Sequence, residues 1–354
     1  MKLCLIGDSG SVHLRRWVAH FSKSAEVVVI SDSPSEIAGI KVLTVFKKGA
    51  GLRNLLRIPR LRREVRNLAP DIVHGHYLTV GGLYASLSGG ARIVGSAWGS
   101  DVYYGPQRSI MERRILRFVL KRCELVFAGT RDMGERVRRF GYNGPLSIFR
   151  WGVDPDLFKK GQSHGTPEFR IISIRPCDSI YNPIEVVLGF KQALPDIGSS
   201  YLYVFDFGDT ADAIHKLVEG DPGLTARVRF LGKRPLGEMP AVYNSGDLAI
   251  SVPNSDSAAA SVLEAMACEL PVLASNIANM REWIEDGTNG FLAEPKSAAI
   301  SGVLRKAYAV RKRLPEMGRR AREKVLDDKM QGTFASNVLV AEKAYQELLQ
   351  RVKP

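Results

Sequence analysis

Residues 247–275 read DLAISVPNSDSAAASVLEAMACELPVLAS, and this stretch decides the fold class. An apolar run at 248–252 precedes a polar loop, which leads into a helical stretch at 261–268 and, after Pro271, a second apolar run at 272–274. This order predicts strand, loop, helix and strand, the repeating unit of a parallel sheet covered by helices. The loop would present backbone N–H groups at a helix N-terminus, where anions bind readily.

Two acidic residues stand out in this stretch. Asp256 lies in the loop, and Glu264 lies one to two turns into a helix otherwise rich in Ala, Val, Leu and Met. A carboxylate among apolar side chains is costly unless it has partners. On chemistry alone two interpretations remain open: Glu264 accepts hydrogen bonds from a ribose diol, or it pairs locally within the fold.

The same alternation of apolar runs and amphipathic stretches extends along the whole chain. Strands are predicted at 27–31, 72–74, 93–96, 125–128, 170–174, 201–205, 228–231, 248–252 and 272–274, and helices at 13–22, 111–122, 183–194, 211–219, 261–268 and 298–309. The pattern predicts the α/β class, with two Rossmann-like, doubly wound parallel sheets.

A segment rich in Gly, Pro and polar residues at 151–167 predicts the boundary between two domains. We expect an N-terminal domain over 1–155 and a C-terminal domain over 156–333, with the helix-forming residues 334–354 packing back on the first domain. Because such sheets bind ligands at the carboxyl ends of their strands, the expected site is a cleft where the two domains face each other.

The chain has 354 residues, and 45% of them are apolar, as in ordinary globular proteins. It has no apolar run near 18 residues, and its first residues lack the pattern of a secretory signal peptide. Its four cysteines form no CxxC pair, which is typical of reduced, structural thiols. These features predict a cytoplasmic protein.

The net charge of +13 is confined to the first half of the sequence. Residues 1–155 hold 25 Lys and Arg against 12 Asp and Glu, whereas residues 156–354 hold 25 of each. Two basic stretches, 51–68 and 111–122, have apolar residues at near-helical spacing. Such helices can lie on an anionic membrane with the apolar side down, or can be ordinary solvated helices over a core. Nucleic acid is disfavoured because no aromatic platform accompanies the charge.

The first residues of the chain, from Met1 to Ile6, are also predicted to form a buried strand, and the turn after it reads GDSGS at 7–11. Its small residues, Gly10 among them, would let backbone N–H groups approach a phosphate or a sugar. The turn lacks a full G-x-G-x-x-G pattern, and Asp8 would repel a pyrophosphate, which argues against a dinucleotide site. A tight turn with no ligand is the alternative.

Several motifs in collinear order carry a family resemblance. Asp256 is followed, after seven residues, by Glu264-Ala265-Met266-Ala267; REWIEDGTNGFL follows at 281–292. In the first half stand PDIVHGH at 70–76, WGSDV at 98–102 and WGVDPDLF at 151–158. Together these motifs resemble glycosyltransferase family 4, a group 1 family of retaining enzymes with the GT-B fold.

The resemblance implies a nucleotide-sugar donor bound by the second domain. Glu264 would hold the ribose, and Asp256 would contact hydroxyls of the donor sugar. Backbone N–H groups at Ala258, Ala259 and Ala260 would meet the sugar or the diphosphate. Arg175 matches the family's arginine, which opposes the charge of the leaving diphosphate.

The sequence departs from the family pattern in four places. The lysine expected five residues after Arg175 is Ile180, with Tyr181 and Asn182 as the nearby candidates. The first acid is Asp256 rather than Glu, Ala258 and its neighbours replace a Gly-Phe-Gly loop, and Trp98 replaces a histidine.

Two further residues of the first half are candidates for catalysis. His76 is a histidine expected near the cleft, and with His74 it could instead bind a metal or simply pack. Asp101 could touch the substrate or cap the following helix.

The sequence therefore predicts a retaining hexosyltransferase that uses a UDP- or GDP-sugar, with no cofactor and no metal. The acceptor would be anionic or lipid-linked, at the inner face of the membrane. The alternative is a GT-B protein that binds a nucleotide or glycan without transferring a sugar.

Overall fold

The computed structural model describes residues 1–90, 92–162, 165–256 and 259–351. The chain divides into two compact units. Unit 1 comprises Met1–Trp151 together with the chain from Asn337 onward, and unit 2 comprises Gly152–Ser336.

Unit 1 contains a seven-stranded sheet in the order β3-β2-β1-β4-β5-β6-β7, and all described neighbours pair in parallel. Its strands are β1 (Lys2–Ile6), β2 (Glu26–Ser31), β3 (Lys41–Thr44), β4 (Ile72–His76), β5 (Arg92–Ser96), β6 (Leu125–Ala128) and β7 (Leu146–Ile148). Its helices before residue 151 are α1 (Val12–Phe21), α2 (Ile58–Leu68), α3 (Leu83–Leu87), α4 (Ser100–Tyr103), α5 (Gly105–Arg108), α6 (Ile110–Leu120) and α7 (Arg131–Arg139). A 3-10 segment, Gly51–Arg57, precedes α2, and a π-helical turn, Tyr77–Gly82, follows β4.

Unit 2 contains a six-stranded parallel sheet in the order β10-β9-β8-β11-β12-β13. Its strands are β8 (Phe169–Pro176), β9 (Ser200–Phe205), β10 (Val228–Phe230), β11 (Leu248–Ser251), β12 (Val272–Ser275) and β13 (Gly290–Ala293). Its helices are α8 (Pro183–Ala193), α9 (Ala211–Glu219), α10 (Pro222–Arg227), α11 (Met239–Asn244), α12 (Ala260–Ala267), α13 (Ala278–Trp283), α14 (Ser297–Ala309) and α15 (Leu314–Leu326).

Both sheets are doubly wound because their central strands are apolar on both faces. The residues of β1 from Leu3 to Ile6 are at most 1% exposed, and those of β11 are equally buried. A strand buried on both sides needs helices on both faces, and the crossover helices supply them. The predicted fold of two parallel α/β units is confirmed.

The last helix, α16 (Phe334–Gln350), begins in unit 2 and continues as part of unit 1. Within unit 1, the Tyr345 hydroxyl lies 2.6 Å from His74 Nδ1, and Asn337 Oδ1 accepts the backbone N–H of Arg150 at 2.8 Å. Glu342 pairs with His20 at 2.8 Å. The C-terminal helix is therefore an integral layer of the N-terminal unit.

Candidate functional site

Two neighbouring strands of unit 2 bring the expected donor-site residues together. β8 and β11 pair in parallel, so their carboxyl ends lie at the same edge of the sheet. Arg175 stands near the end of β8 and Ser251 closes β11, and the Arg175 Nε–H donates to Ser251 Oγ at 2.9 Å. Ser251 was not among the predicted site residues. Its small hydroxyl fixes the direction in which the guanidinium leaves the sheet.

Arg175 also forms an ion pair with Asp256, 81 positions along the chain. Only 12% of the arginine side chain and 9% of the aspartate side chain are exposed. Charges held this far from water are screened weakly, so the pair is stronger than one on the surface. Arg175, expected to bind the diphosphate, and Asp256, expected to bind the sugar, therefore neutralise each other in this structure.

The loop that carries Asp256 is held by further hydrogen bonds. Asp256 Oδ1 accepts the backbone N–H of Ala259 at 3.1 Å, and the Asn279 side chain donates to the Asp256 carbonyl at 3.1 Å. Ala259 is buried and has a left-handed backbone with φ of 48°, which is unusual for a residue with a Cβ. The N–H of Ala259, predicted to face the donor, is thus directed at Asp256. Ala260 begins α12, and Ala258 lies outside the described residues.

Glu264 projects from α12, whose other described side chains at 262–267 are fully buried. The hydroxyl of Tyr243, a fully buried residue of α11, donates to Glu264 Oε2 at 2.8 Å. Burial raises the pKa of Tyr243 well above its ordinary value, and the Glu264 carboxylate raises it further. Tyr243 therefore remains a protonated donor at any physiological pH, and sequence reasoning did not single it out.

Asn182 links the two loops that follow β8 and β11. Its side chain donates to the Val252 carbonyl at 2.8 Å and to Asn254 Oδ1 at 3.1 Å, and its own backbone is left-handed with φ of 53°. The preceding Tyr181 places its ring 5.0 Å from the Arg175 guanidinium carbon. The segment in which the family lysine was expected therefore has neutral side chains, and one of them, Tyr181, packs against the arginine.

Unit 1 has a cavity of about 340 Å³ at the carboxyl ends of β1, β2 and β4. Its lining is mostly apolar and includes two carboxylates: Ile6, Gly7, Asp8, Ile30, Asp32, Phe46, His76, Tyr77, Val80, Gly81, Tyr84 and Trp98. Gly10 stands just beyond β1, and its backbone N–H donates to Asp8 Oδ1 at 2.8 Å. The turn that was expected to offer N–H groups to a ligand is thus partly closed by its own aspartate.

His76 lies in a layer of rings beneath this cavity. It is 2% exposed, stacks on His74 with ring centroids 4.2 Å apart, and neither of its ring nitrogens has a hydrogen-bond partner. Burial, with a smaller contribution from the neighbouring His13, lowers the pKa of His76 to about 3. The ring is therefore neutral near pH 7 and a weak proton acceptor.

His74 is engaged on both sides of its ring. One nitrogen lies 2.6 Å from the Tyr345 hydroxyl and the other lies 2.7 Å from Ser96 Oγ. Within the parts of the chain that the structure describes, no three His, Cys, Asp or Glu side chains are grouped as a metal site would require. The geometry gives His74 a packing role.

Asp101 is enclosed by the backbone of the turn that follows β5. Its side chain is fully buried and accepts the backbone N–H groups of Leu78 at 2.7 Å, Trp98 at 3.0 Å and Gly99 at 2.8 Å. Burial raises the pKa of Asp101 to about 6, against the effect of these hydrogen bonds. These contacts favour the second of the two interpretations of Asp101, in which it holds the backbone of this turn, and contact with a substrate stays a prediction.

The apolar residues of the two basic helices lie largely in the core. In α2, Leu61, Val65 and Leu68 are buried in the core, and in α6 the same holds for Leu116, Val119 and Leu120. This burial favours the second of the two interpretations, a solvated helix over a core, and attachment to a membrane stays a prediction. Their arginines form the outer face. No helix in the described part of the chain is long and apolar enough to cross a bilayer.

Comparisons with known proteins agree with this architecture. Residues 2–130 match the family model described as glycosyl transferase 4-like, and residues 203–324 match the model of glycosyl transferases group 1. The sulfoquinovosyl transferase of Arabidopsis thaliana is 24% identical over 67% of this chain and 49% of its own length. The chain thus spans about half the length of that relative.

Solved structures show the same fold. Sucrose-phosphate synthase from Thermosynechococcus elongatus superposes with a TM-score of 0.81 at 15% identity, covering 98% of this chain and 99% of the other. Anabaena HepE in complex with UDP-glucose superposes with a TM-score of 0.77 at 18% identity, covering 98% and 100%. The two family matches and the shared GT-B fold confirm the resemblance seen in the sequence, and the chain belongs to the group 1, family 4-like glycosyltransferases.

Proposed function

We propose that this protein transfers a sugar from a nucleotide-sugar to an acceptor, with retention of configuration and without a metal ion. The bond between the sugar C1 and the diphosphate oxygen breaks, and the oxygen of an acceptor hydroxyl bonds to C1. The hydroxyl proton passes to the nucleoside diphosphate, which leaves. The observation that carries this proposal is the ion pair of Arg175 and Asp256 at the carboxyl edge of the unit 2 sheet, with Glu264 on the helix that follows the Asp256 loop.

In this proposal each of these residues has one task. Glu264 accepts hydrogen bonds from the ribose. Arg175 opposes the negative charge that grows on the leaving diphosphate, a role for which a planar guanidinium with several donors is suited. Asp256 releases Arg175 when the diphosphate arrives and turns to the hydroxyls of the donor sugar. The ion pair of the free protein is thus exchanged for two contacts with the donor.

The donor is a UDP- or GDP-sugar. HepE, which shares the fold, is described in complex with UDP-glucose, and this makes a UDP-sugar the first donor to test. The acceptor is anionic or lipid-linked, because the excess of 13 positive charges lies in residues 1–155. An arginine-rich outer face on α2 supports electrostatic attachment to the inner surface of the membrane.

A second candidate function is binding without transfer. It is favoured by Ile180, which stands where the family has a diphosphate-binding lysine, and by Trp98, which stands where the family has a histidine. Both changes remove groups that could assist the reaction, and neither removes the groups proposed to hold the nucleotide.

A ligand screen followed by an activity assay separates these functions. The melting temperature is measured with UDP, GDP, ADP and their sugars, because a ligand at 100 times its dissociation constant stabilises the fold by about 2.7 kcal/mol. The sugar that stabilises most is then incubated with lipid and soluble acceptors, and the product anomer is identified by NMR.

We expect stabilisation and a product of the same anomeric configuration as the donor. Stabilisation without any product would favour the binding protein. No stabilisation by any nucleotide would contradict both functions.

A further inference from the structure

The contact between Tyr243 and Glu264 joins two consecutive helices of unit 2. Tyr243 is fully buried, and its ring centroid lies 5.9 Å from that of Phe158. Its hydroxyl donates to Glu264 Oε2 at 2.8 Å, across 21 positions of sequence. The phenol reaches the carboxylate from the protein interior, which makes Tyr243 a fixed partner rather than a mobile one.

In this hydrogen bond Tyr243 is always the donor and Glu264 is always the acceptor. Burial keeps the pKa of Tyr243 far above physiological pH, so the phenol keeps its proton. A hydroxyl buried without an acceptor costs about 1–3 kcal/mol. Rotation of the carboxylate away from Tyr243 would incur that cost, and the bond therefore holds the carboxylate in one orientation.

A fixed orientation matters for the proposed ligand of Glu264. Two vicinal ribose hydroxyls require acceptor oxygens in one plane and at one distance, and affinity is lost when a side chain must be ordered during binding. Supporting hydrogen bonds behind a ligating group remove that cost. The position of Tyr243, behind the carboxylate and inside the core, is suited to this task.

We propose that Tyr243 is a positioning residue, which holds the Glu264 carboxylate in the orientation that receives both ribose hydroxyls of the donor. This inference rests on the proposed function and adds a determinant of nucleotide affinity outside the residues that touch the ligand. The competing explanation is that Tyr243 only fills the core. The two explanations predict different results when the Tyr243 hydroxyl is removed. Only a positioning role predicts that the loss of nucleotide affinity depends on the ribose hydroxyls.

The test compares Tyr243→Phe with a matched control, Tyr308→Phe. Tyr308 belongs to α14 of the same unit, and its ring packs against Phe169 at 5.5 Å, so the control removes a phenol hydroxyl elsewhere. Calorimetry measures the dissociation constants of the nucleoside diphosphate that stabilises the wild type most, and of its 2′,3′-dideoxy analogue.

We expect Y243F to bind the intact nucleotide roughly three- to tenfold more weakly, the effect of one buried hydrogen bond. Its affinity for the dideoxy analogue should stay within about twofold of the wild type, because that analogue has no diol to position. Y308F should match the wild type with both ligands. In a Glu264→Ala background, Y243F should have no further effect on either ligand.

Unchanged affinity of Y243F for the intact nucleotide would overturn the inference, and so would an equal loss for the two ligands. A wild type that binds UDP, GDP and ADP not at all would instead refute the proposed function, and the role of Tyr243 with it.

If Y243F does not fold, Glu264→Asp tests the same point without altering the core. This change keeps the charge and withdraws the carboxylate by one methylene from the Tyr243 hydroxyl. We expect E264D to lose at least as much affinity for the intact nucleotide as a single lost hydrogen bond, and much less for the dideoxy analogue. Full affinity of E264D would show that the orientation set by Tyr243 is not needed.

Discussion

At the carboxyl edge of the unit 2 sheet, Arg175 and Asp256 form an ion pair; at the same edge of the unit 1 sheet, His74 and His76 stack as rings held neutral by burial. Both sheets are parallel and doubly wound, and both place polar residues where their strands end. One edge therefore holds a pair of opposite charges, whereas the two stacked histidine rings of the other edge are neutral.

This difference runs against the distribution of net charge in the sequence. Residues 1–155 carry the whole excess of +13, yet the charged side chains of α2 lie on the outside and the cavity at the sheet edge holds two aspartates and neutral rings. Residues 156–354 are neutral in sum and nevertheless contain the buried ion pair. Net charge describes the outer surface of such a unit and not the chemistry at its strand ends.

Removing the cation of the charged edge should have the largest effect. We expect Arg175→Ala to lower turnover by roughly 10²- to 10³-fold with a smaller effect on substrate affinity, since it opposes charge that develops in the transition state. Steady-state kinetics with the donor found in the screen measures both constants.

A matched control for that change is Arg305→Ala, an exposed arginine of the same unit that pairs with Asp196. Arg175→Lys should recover part of the turnover, because it restores the charge and not the fork of donors. Full turnover of the Arg175→Ala variant would show that another residue binds the diphosphate. It would also show that the ion pair of Arg175 and Asp256 is not part of the active site.

The outer surface of unit 1 should give the next largest effect. Arg53, Arg60 and Arg63 are exposed, and each basic residue near an anionic bilayer contributes about 1 kcal/mol. Changing all three to Glu should therefore weaken binding to anionic vesicles by about 100-fold or more, as measured by co-sedimentation. Arg57 is left in place because its guanidinium donates to the Val45 carbonyl.

The control for the vesicle experiment changes three exposed lysines of unit 2, Lys233, Lys296 and Lys312, to Glu. This control variant changes the net charge by the same amount as the arginine variant, and it should keep most of its binding to anionic vesicles. We also expect little binding to neutral vesicles and release as salt rises. Equal binding to neutral and anionic vesicles would contradict an electrostatic attachment.

Removal of Glu264, the residue proposed to bind the ribose, should have an intermediate effect. We expect Glu264→Ala to weaken nucleotide binding by roughly 1–3 kcal/mol, because it removes a charged hydrogen-bond acceptor. Calorimetry with the wild type and the variant measures this difference, with circular dichroism to check that the fold is intact. Unchanged affinity would leave Glu264 as a purely structural partner of Tyr243.

The neutral edge of unit 1 should respond to acid. Burial lowers the pKa of His76 to about 3 and that of His74 well below 6.5, so the unfolded chain binds more protons than the native one below pH 6.5. The stability that depends on these groups is complete above that pH and is lost as the pH falls. Asp101 acts in the opposite direction, because its pKa is raised to about 6 and it takes up a proton in the native state first.

Burial also lowers the pKa of His13, which lies beside His76, to about 4. With Asp101 offsetting one of these three histidines, we expect about 2–3 kcal/mol of stability to be lost per pH unit between pH 6 and pH 5. Urea unfolding followed by tryptophan fluorescence measures this, since Trp17, Trp98 and Trp151 lie in unit 1. His76→Leu should flatten the dependence. A wild type equally stable at pH 7 and pH 5 would contradict the assignment.

Much of the fold was predictable because strands buried on both faces are continuous apolar runs. The run at 125–128 coincides with β6, and the helix predicted at 211–219 coincides with α9. The strands that sequence reasoning missed, β3, β7 and β13, are three or four residues long, and β3 and β7 have no fully buried residue. Short strands of this kind have no clear hydrophobic period.

The candidate site was predictable as a set of residues and not as a set of contacts. Arg175, Asp256 and Glu264 could be named from their motifs, but the ion pair and the Tyr243 hydrogen bond join positions that only the sheet order brings together. The two interpretations of Asp101 could not be separated from the sequence, because three backbone N–H groups converge on it through a turn that no local spacing reveals.

The shared helix α16 has a consequence for engineering. Because its residues from Asn337 onward belong to unit 1, where Tyr345 closes over His74, a chimera joined only near residue 151 would inherit the tail of the wrong parent. Two junctions are needed, one near 151 and one near 336, so that the transplanted piece is an insertion rather than a tail. Evolutionary exchange of donor specificity between such proteins faces the same condition, because recombination at a single point would pair the histidines of one parent with the last helix of the other.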